Sequence, residues 1–173
     1  TWTAITTGLP ANHFVGALRA DPVKRGLLYA GTDQGVWLSF DDGDHWRSLQ
    51  RNLPSAIVTD LTIHGDDLIA ATQGRAIWIL DDVAPLREMN ASLVGQPAHL
   101  FAPASAMRVR SNQNKDTPLP REEPVGRNPA DGAIFDYWLA RDAHAPVTLS
   151  ILDESGKLVR RFASTDVAPK LAS

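Results

Sequence analysis

At 173 residues, 43% hydrophobic and 21% charged, the chain has a globular composition and room for one domain or one and a part. No apolar run approaches the ~18 residues of a membrane span, and 17 basic against 20 acidic residues, a net charge of -3 with no basic stripe, argues against nucleic acid as a partner. The absence of cysteine excludes a disulfide scaffold, a thiolate zinc site and a cysteine nucleophile.

The opening "TWTAITTGLP" has no basic n-region, no apolar h-region and no initiator Met, so the chain is expected to begin inside a larger protein. Short runs rich in Val, Leu, Trp, Tyr and Phe follow: "HFVGALRA", "GLLYAG", "GVWLSF" and "HWRSL". They are separated by "DPVKRG", "TDQG" and "DDGD", which carry turn chemistry. "AIVTDLTI", "DLIAAT" and "AIWIL" then repeat the order, with "HGD" and "QGR" as turns. No segment keeps a helical period without Gly or Pro.

The two sets are copies. "WTAITTGLP" (Trp2 to Pro10) returns as "WRSLQRNLP" (Trp46 to Pro54) at an offset of 44, while Leu18 answers Leu61, Thr32 answers Thr72 and Trp37 answers Trp78 at offsets of 43, 40 and 41. Four short strands in a unit of this length mark a propeller blade, with a plain β-sandwich as the competing architecture.

Between the third and fourth strands of the first unit stands "SFDDGDHW". Its Ser39-x-Asp41-x-Gly43-x-x-Trp46 pattern resembles the Asp-box of BNR repeats, found in sialidases, xyloglucanase-type glycosidases and sortilin-type propellers. With "GLLYAGTDQGVWLSFDDGDHW" and "ATQGRAIWILDD", residues 1 to 88 look like large bacterial BNR-repeat proteins labelled glycosyl hydrolases. The resemblance implies an exported protein in which the box is a structural hairpin away from the active site. The residue types suit that role. Gly43 permits a positive φ, Asp41 can accept from turn amides, Ser39 can bond across the hairpin, and Trp46 can cover the turn. A calcium loop starting at Asp41 would place a bidentate Glu where Asn52 stands. Asp41 and Asp42 are adjacent and would point to opposite faces of a strand, whereas glycosidase carboxylates lie roughly 5 to 9.5 Å apart across a sugar.

In the second unit Asp82 aligns with Asp41, but Leu80, Ala84 and Arg87 replace Ser39, Gly43 and Trp46. "VAPLREM" is broken by proline, so residues 83 to 90 are not expected to form a fourth strand, which must come from elsewhere.

Residues 89 to 131 read as a proline-rich, irregular arm, within which "AHLFAPASAMRVR" could lie against a propeller face. Asn90-Ala91-Ser92 matches a glycosylation sequon, read as a chance match. From 132 to 173 "AIFDYWLA", "APVTLSIL" and "KLVRRF" read as strands, with "DESG" turning a hairpin that puts Val147, Leu149 and Ile151 on one face. This stretch resembles the immunoglobulin-like modules at the C-termini of exported bacterial proteins. Three strands make an incomplete sandwich, whose remainder is expected beyond residue 173 or in another chain.

Catalytic signatures are missing. The five histidines are scattered without a His-Glu-x-x-His motif, and neither a G-x-S-x-G elbow nor a phosphate loop occurs. The sialidase arginine triad and Tyr nucleophile cannot be placed, since Tyr29 belongs to a core-like strand and Tyr137 to the later hairpin. No catalytic residue, metal or cofactor is therefore assigned. Trp37 and Trp78 could serve as sugar-stacking platforms or pack between blades, and Arg75 in the "QGR" turn could face a ligand or bond a neighbouring blade.

The expected fold is all-β: two blades of an open β-propeller, an irregular arm and part of a β-sandwich. The expected function is a non-catalytic scaffold or binding segment for a carbohydrate or protein ligand. The alternatives are the C-terminal part of a glycoside hydrolase and a sortilin-like peptide-binding propeller. Two blades cannot close a ring, so the rest of the parent propeller or another chain is expected to cover the open sheet edges.

Overall fold

The computed structural model describes residues 1–106 and 132–167. The chain is mostly β, in several small antiparallel sheets, none of which closes on itself among the described residues. The first sheet is a four-stranded meander of β1 (Val15–Ala20), β2 (Leu28–Thr32), β3 (Val36–Ser39) and β4 (Arg47–Ser48). The second is a three-stranded meander of β5 (Val58–His64), β6 (Asp67–Thr72) and β7 (Ile77–Leu80). Short polar turns join the strands, which forces antiparallel neighbours.

The two meanders are structural copies. Each carries an irregularity near the start of its first strand, between Val15 and Ala17 in one and Val58 and Asp60 in the other. Val15 faces Thr32 as Val58 faces Thr72, and Trp37 faces Ala30 as Trp78 faces Ala70. The Thr32 and Thr72 hydroxyls close equivalent turns by donating to the carbonyls of Gly35 and Ala76.

Strand alternation gives each sheet two distinct faces. Ala17, Tyr29, Gly31, Val36 and Leu38 share one face of the first sheet by register, and they pack against Val58, Leu61, Leu68 and Ala70 of the second in one buried cluster. The approach is close enough that a Cβ on Gly31 would stand 2.6 Å from Val58 Cγ1, so only glycine fits there.

After β7 the chain turns into two short helices, α1 (Ala84–Glu88) and α2 (Ala91–Val94), with a proline in the first turn of α1. Residues 83 to 90 therefore contribute no strand, and β6 is the only described neighbour of β7.

The arm reading needs revision at its start. β8 (Ala98–Leu100) is a strand, and it pairs with β9 (Tyr137–Leu139) across the stretch between them. A three-residue strand in the five positions between Pro97 and Pro103 is too short to show a period in the sequence. Residues 107–131, the rest of the arm, lie outside the described residues. The hairpin of β10 (Thr148–Leu152) and β11 (Leu158–Ala163) forms as the alternation predicts, with Leu149 and Ile151 more covered than their neighbours. Asp153 shapes its turn by accepting from the amides of Ser155 and Lys157. β9 belongs to the β8 sheet and does not join this hairpin. Among the described residues no helix is long and apolar enough to cross a membrane.

Candidate functional site

The stretch from Ser39 to Trp46 folds into a clasp whose polar groups satisfy one another. Ser39, only 1% exposed at the end of β3, accepts from the amides of Asp41 at 3.2 Å and Gly43 at 2.9 Å, and donates to Asp41 Oδ1 at 2.8 Å. The same Asp41 oxygen accepts from the His45 amide at 2.9 Å, while Oδ2 lies 2.8 Å from His45 Nδ1. The bond from the His45 ring, then the His45 amide and the Ser39 hydroxyl, pull the Asp41 carboxyl down to about 2. A carboxylate that acidic is a weak base at neutral pH. Gly43 takes φ 96°, and a Cβ on it would lie 2.7 Å from Ile5 Cδ1. Left-handed backbone and a tight neighbour both call for glycine here.

Trp46, 5% exposed, reaches further than its own turn. Its Nε1 donates to the carbonyl of Ile5 at 2.7 Å, and its amide donates to the carbonyl of Thr7 at 2.8 Å. The clasp thus holds the segment that leads into β1. Reading the motif alone places Trp46 over the hairpin but misses this partner. The approach is so close that a Cβ on Gly8 would stand 2.3 Å from the Trp46 carbonyl oxygen.

The second unit keeps the aspartate and changes the closure. Asp82 Oδ1 accepts from the Ala84 amide at 3.0 Å. Arg87, at the position of Trp46, directs Nε to both oxygens of Asp21 at 3.0 Å, donates to the Gly65 carbonyl at 3.0 Å and pairs with Asp66. The Asp21 side chain is fully enclosed and also accepts from the amides of Val23 and Lys24. Burial favours its neutral form, but the two amides and Arg87 outweigh this and hold its pKa below the usual value. Burial likewise works against the Arg87 charge, and the two aspartates more than compensate, raising its pKa. Burial, then the nearby Asp21 charge, push the Tyr29 phenol well above its ordinary value and keep it neutral. Asp21 does not stand out in the sequence, because it sits in an ordinary Asp-Pro turn. The charged Arg87 at an apolar repeat position was the clue.

Trp37 and Trp78 lie on different sheets, so no shared aromatic platform forms. Trp37 is half-buried and pairs with Ser48 in β4. Trp78 faces the first sheet across a small cavity of about 50 Å³ bordered by Val36, Leu49, Leu68 and Leu80. Its Nε1 donates to the Arg75 carbonyl at 2.7 Å, which fixes the β6–β7 turn, and the Arg75 residue is exposed. Beyond Trp78 a groove of about 500 Å³ runs along β7, lined by Arg51, Asn52, Ile79, Asp82 and Asp136 among others. A second hollow of about 570 Å³ lies between the clasp and α2, with Lys24, Phe40, His45, Arg47 and Asn90 on its walls. Asn90 is occupied as a helix cap. It accepts from the Leu93 amide and donates to the Glu88 carbonyl, both at 2.9 Å.

Among the described residues no group of three or more His, Asp or Glu side chains could hold a metal ion. No family model, curated protein or solved structure matches the chain.

Proposed function

We propose that this chain is a non-catalytic scaffold or binding segment of an exported, bacterial Asp-box β-propeller protein, with a carbohydrate or protein ligand. The observation that carries the reading is the clasp. The polar atoms of Ser39 and Asp41 are spent on holding the β3–β4 hairpin of the first of two stacked, repeat-equivalent meanders. A carbohydrate is supported by the groove along β7, where Trp78 offers an aromatic wall beside Arg51, Asn52 and Asp82. Titration with soluble β-glucan and sialoside oligosaccharides should quench tryptophan fluorescence, and Trp78→Ala should abolish the quench without release of reducing ends. Turnover of either glycoside by the intact chain would overturn the non-catalytic reading.

A sortilin-like peptide ligand is the second reading, favoured by the edge of β7, which is unpaired among the described residues. An extended peptide can add to such an edge through main-chain hydrogen bonds. Saturable binding of extended peptides, with no response to the oligosaccharides, would select it.

A further inference from the structure

The two meanders pack in a direction. The first sheet turns Val36 and Leu38 toward the second, where they are 4% and 5% exposed. Their equivalents in the second sheet are Ile77 and Ile79, which stay 68% and 54% exposed. The opposite faces show the reverse. Leu61 turns toward the first sheet and is 1% exposed, whereas its equivalent Leu18 is 48% exposed. Each chain thus presents at one end the surface that receives a sheet in its own interior, and at the other end the surface that docks.

The edges match in the same sense. β4 completes the first sheet with Arg47 opposite Leu38, Ser48 opposite Trp37 and the Leu49 amide on the Val36 carbonyl. The chain then runs from this strand directly into β5 of the sheet stacked beside it. The 44-residue repeat gives Thr3, Ala4 and Ile5 the places of Arg47, Ser48 and Leu49, and Trp2 to Pro10 likewise runs directly into β1. Trp2 is fully exposed at 101%, while the Ile5 carbonyl is anchored by Trp46 of the sheet that follows.

We infer that a second copy of this chain docks its first sheet on the Ile77–Ile79 face and supplies its Trp2–Ile5 segment as the fourth strand beside β7, with Thr3 opposite Ile79 and Ala4 opposite Trp78. Both contacts come from the same copy, since the segment leads into the sheet that docks. The contact is heterologous, so successive additions close a ring or extend a chain of copies. The inference uses the observed packing and the sequence repeat; the docked strand lies along the β7 groove and therefore competes with any ligand held there.

The lack of cysteine makes the register directly testable by disulfide trapping. Opposed residues of an antiparallel pair are within disulfide reach. Full-length Thr3→Cys is mixed with full-length Ile79→Cys and oxidised; a control mixture replaces the first with Val23→Cys, which is 71% exposed in the β1–β2 turn. The mixed disulfide is expected at least about tenfold more abundantly from the first mixture, because docking raises the local thiol concentration. Light scattering of the unmodified chain is expected to give a mass above the 18.8 kDa monomer that rises with concentration. Ile79→Asp, a change at an exposed site, is expected to return the monomer with an unchanged circular dichroism spectrum. Equal disulfide yields from the two mixtures, or a monomer at every concentration, overturns the inference. Oligosaccharide binding enters neither readout.

Discussion

Arg87 Nε stands 3.0 Å from both carboxylate oxygens of Asp21, although 66 positions separate them in the chain. The pair bolts the turn after β1 to the helix that follows β7, and neither side chain is more than 10% exposed. Asp21→Ala would leave the Arg87 charge buried and deprive the Val23 and Lys24 amides of their acceptor. Removing one partner of such a pair costs about 3–5 kcal/mol. Urea denaturation should show a loss of that size, and a loss below about 1 kcal/mol would mean that Arg87 finds full compensation in Asp66 and water.

The Ser39 hydroxyl is a second sensitive point. Ser39→Ala removes the acceptor shared by two amides inside the clasp, at about 1–3 kcal/mol for the unsatisfied groups. Trp46→Phe keeps most of the buried ring but deletes the bond to Ile5, at about 1 kcal/mol. Hydrogen exchange offers the finer readout. The Trp46 amide, bonded to Thr7, should exchange faster in Trp46→Phe, while the β5–β6 amides should be unaffected.

Acid should loosen the clasp over a defined range. The Asp41 carboxyl lies at about 2 when folded, against an ordinary unfolded value of about 3.9. A depressed folded pKa contributes stability that is present above the unfolded value and lost as pH falls through the folded one. Stability should therefore decline between about pH 4 and pH 2, by a modest amount because the carboxylate is partly solvated. The His45 ring is the largest cause of the shift. An NMR titration of His45→Ala should move the Asp41 midpoint back toward its ordinary value; an unmoved midpoint would assign the shift to the Ser39 hydroxyl and the backbone.

The spacing of the two sheets rests on Gly31 and Val58. A methyl on Gly31 would meet Val58 Cγ1 at 2.6 Å, an overpacking worth about 1–3 kcal/mol. Combining Gly31→Ala with Val58→Ala should cost less than the sum of the single changes, with a coupling of about 0.5–3 kcal/mol. Strict additivity would show that the sheets separate freely.

Much of the fold is legible in the sequence because it is local. Strand alternation, turn residues and the return of Trp37 as Trp78 all lie within a few residues of their effects, and the clasp is contained in eight positions. What the sequence hides is pairing at a distance. Nothing near Trp46 announces Ile5 or Thr7, and nothing near Asp21 announces Arg87. β8 escapes because a three-residue strand between prolines has no period to read, and its partner β9 lies on the far side of the arm. The candidate Trp37, Arg75 and Trp78 are distributed by topology: one sits on the first sheet and two at the β6–β7 turn and edge of the second.

Trp46's grip on Ile5 and Thr7 also bears on where the chain can be cut. A truncation placed at His13, just before the first strand, would keep every strand of both meanders and still remove the lid over an indole that is now 5% exposed. The bared ring would sit beside a clasp with two carbonyl acceptors missing. Such a shortened chain should express as an adhesive, partly unlatched product. A usable boundary lies upstream of Trp2, because this unit is finished by residues that come before its first strand.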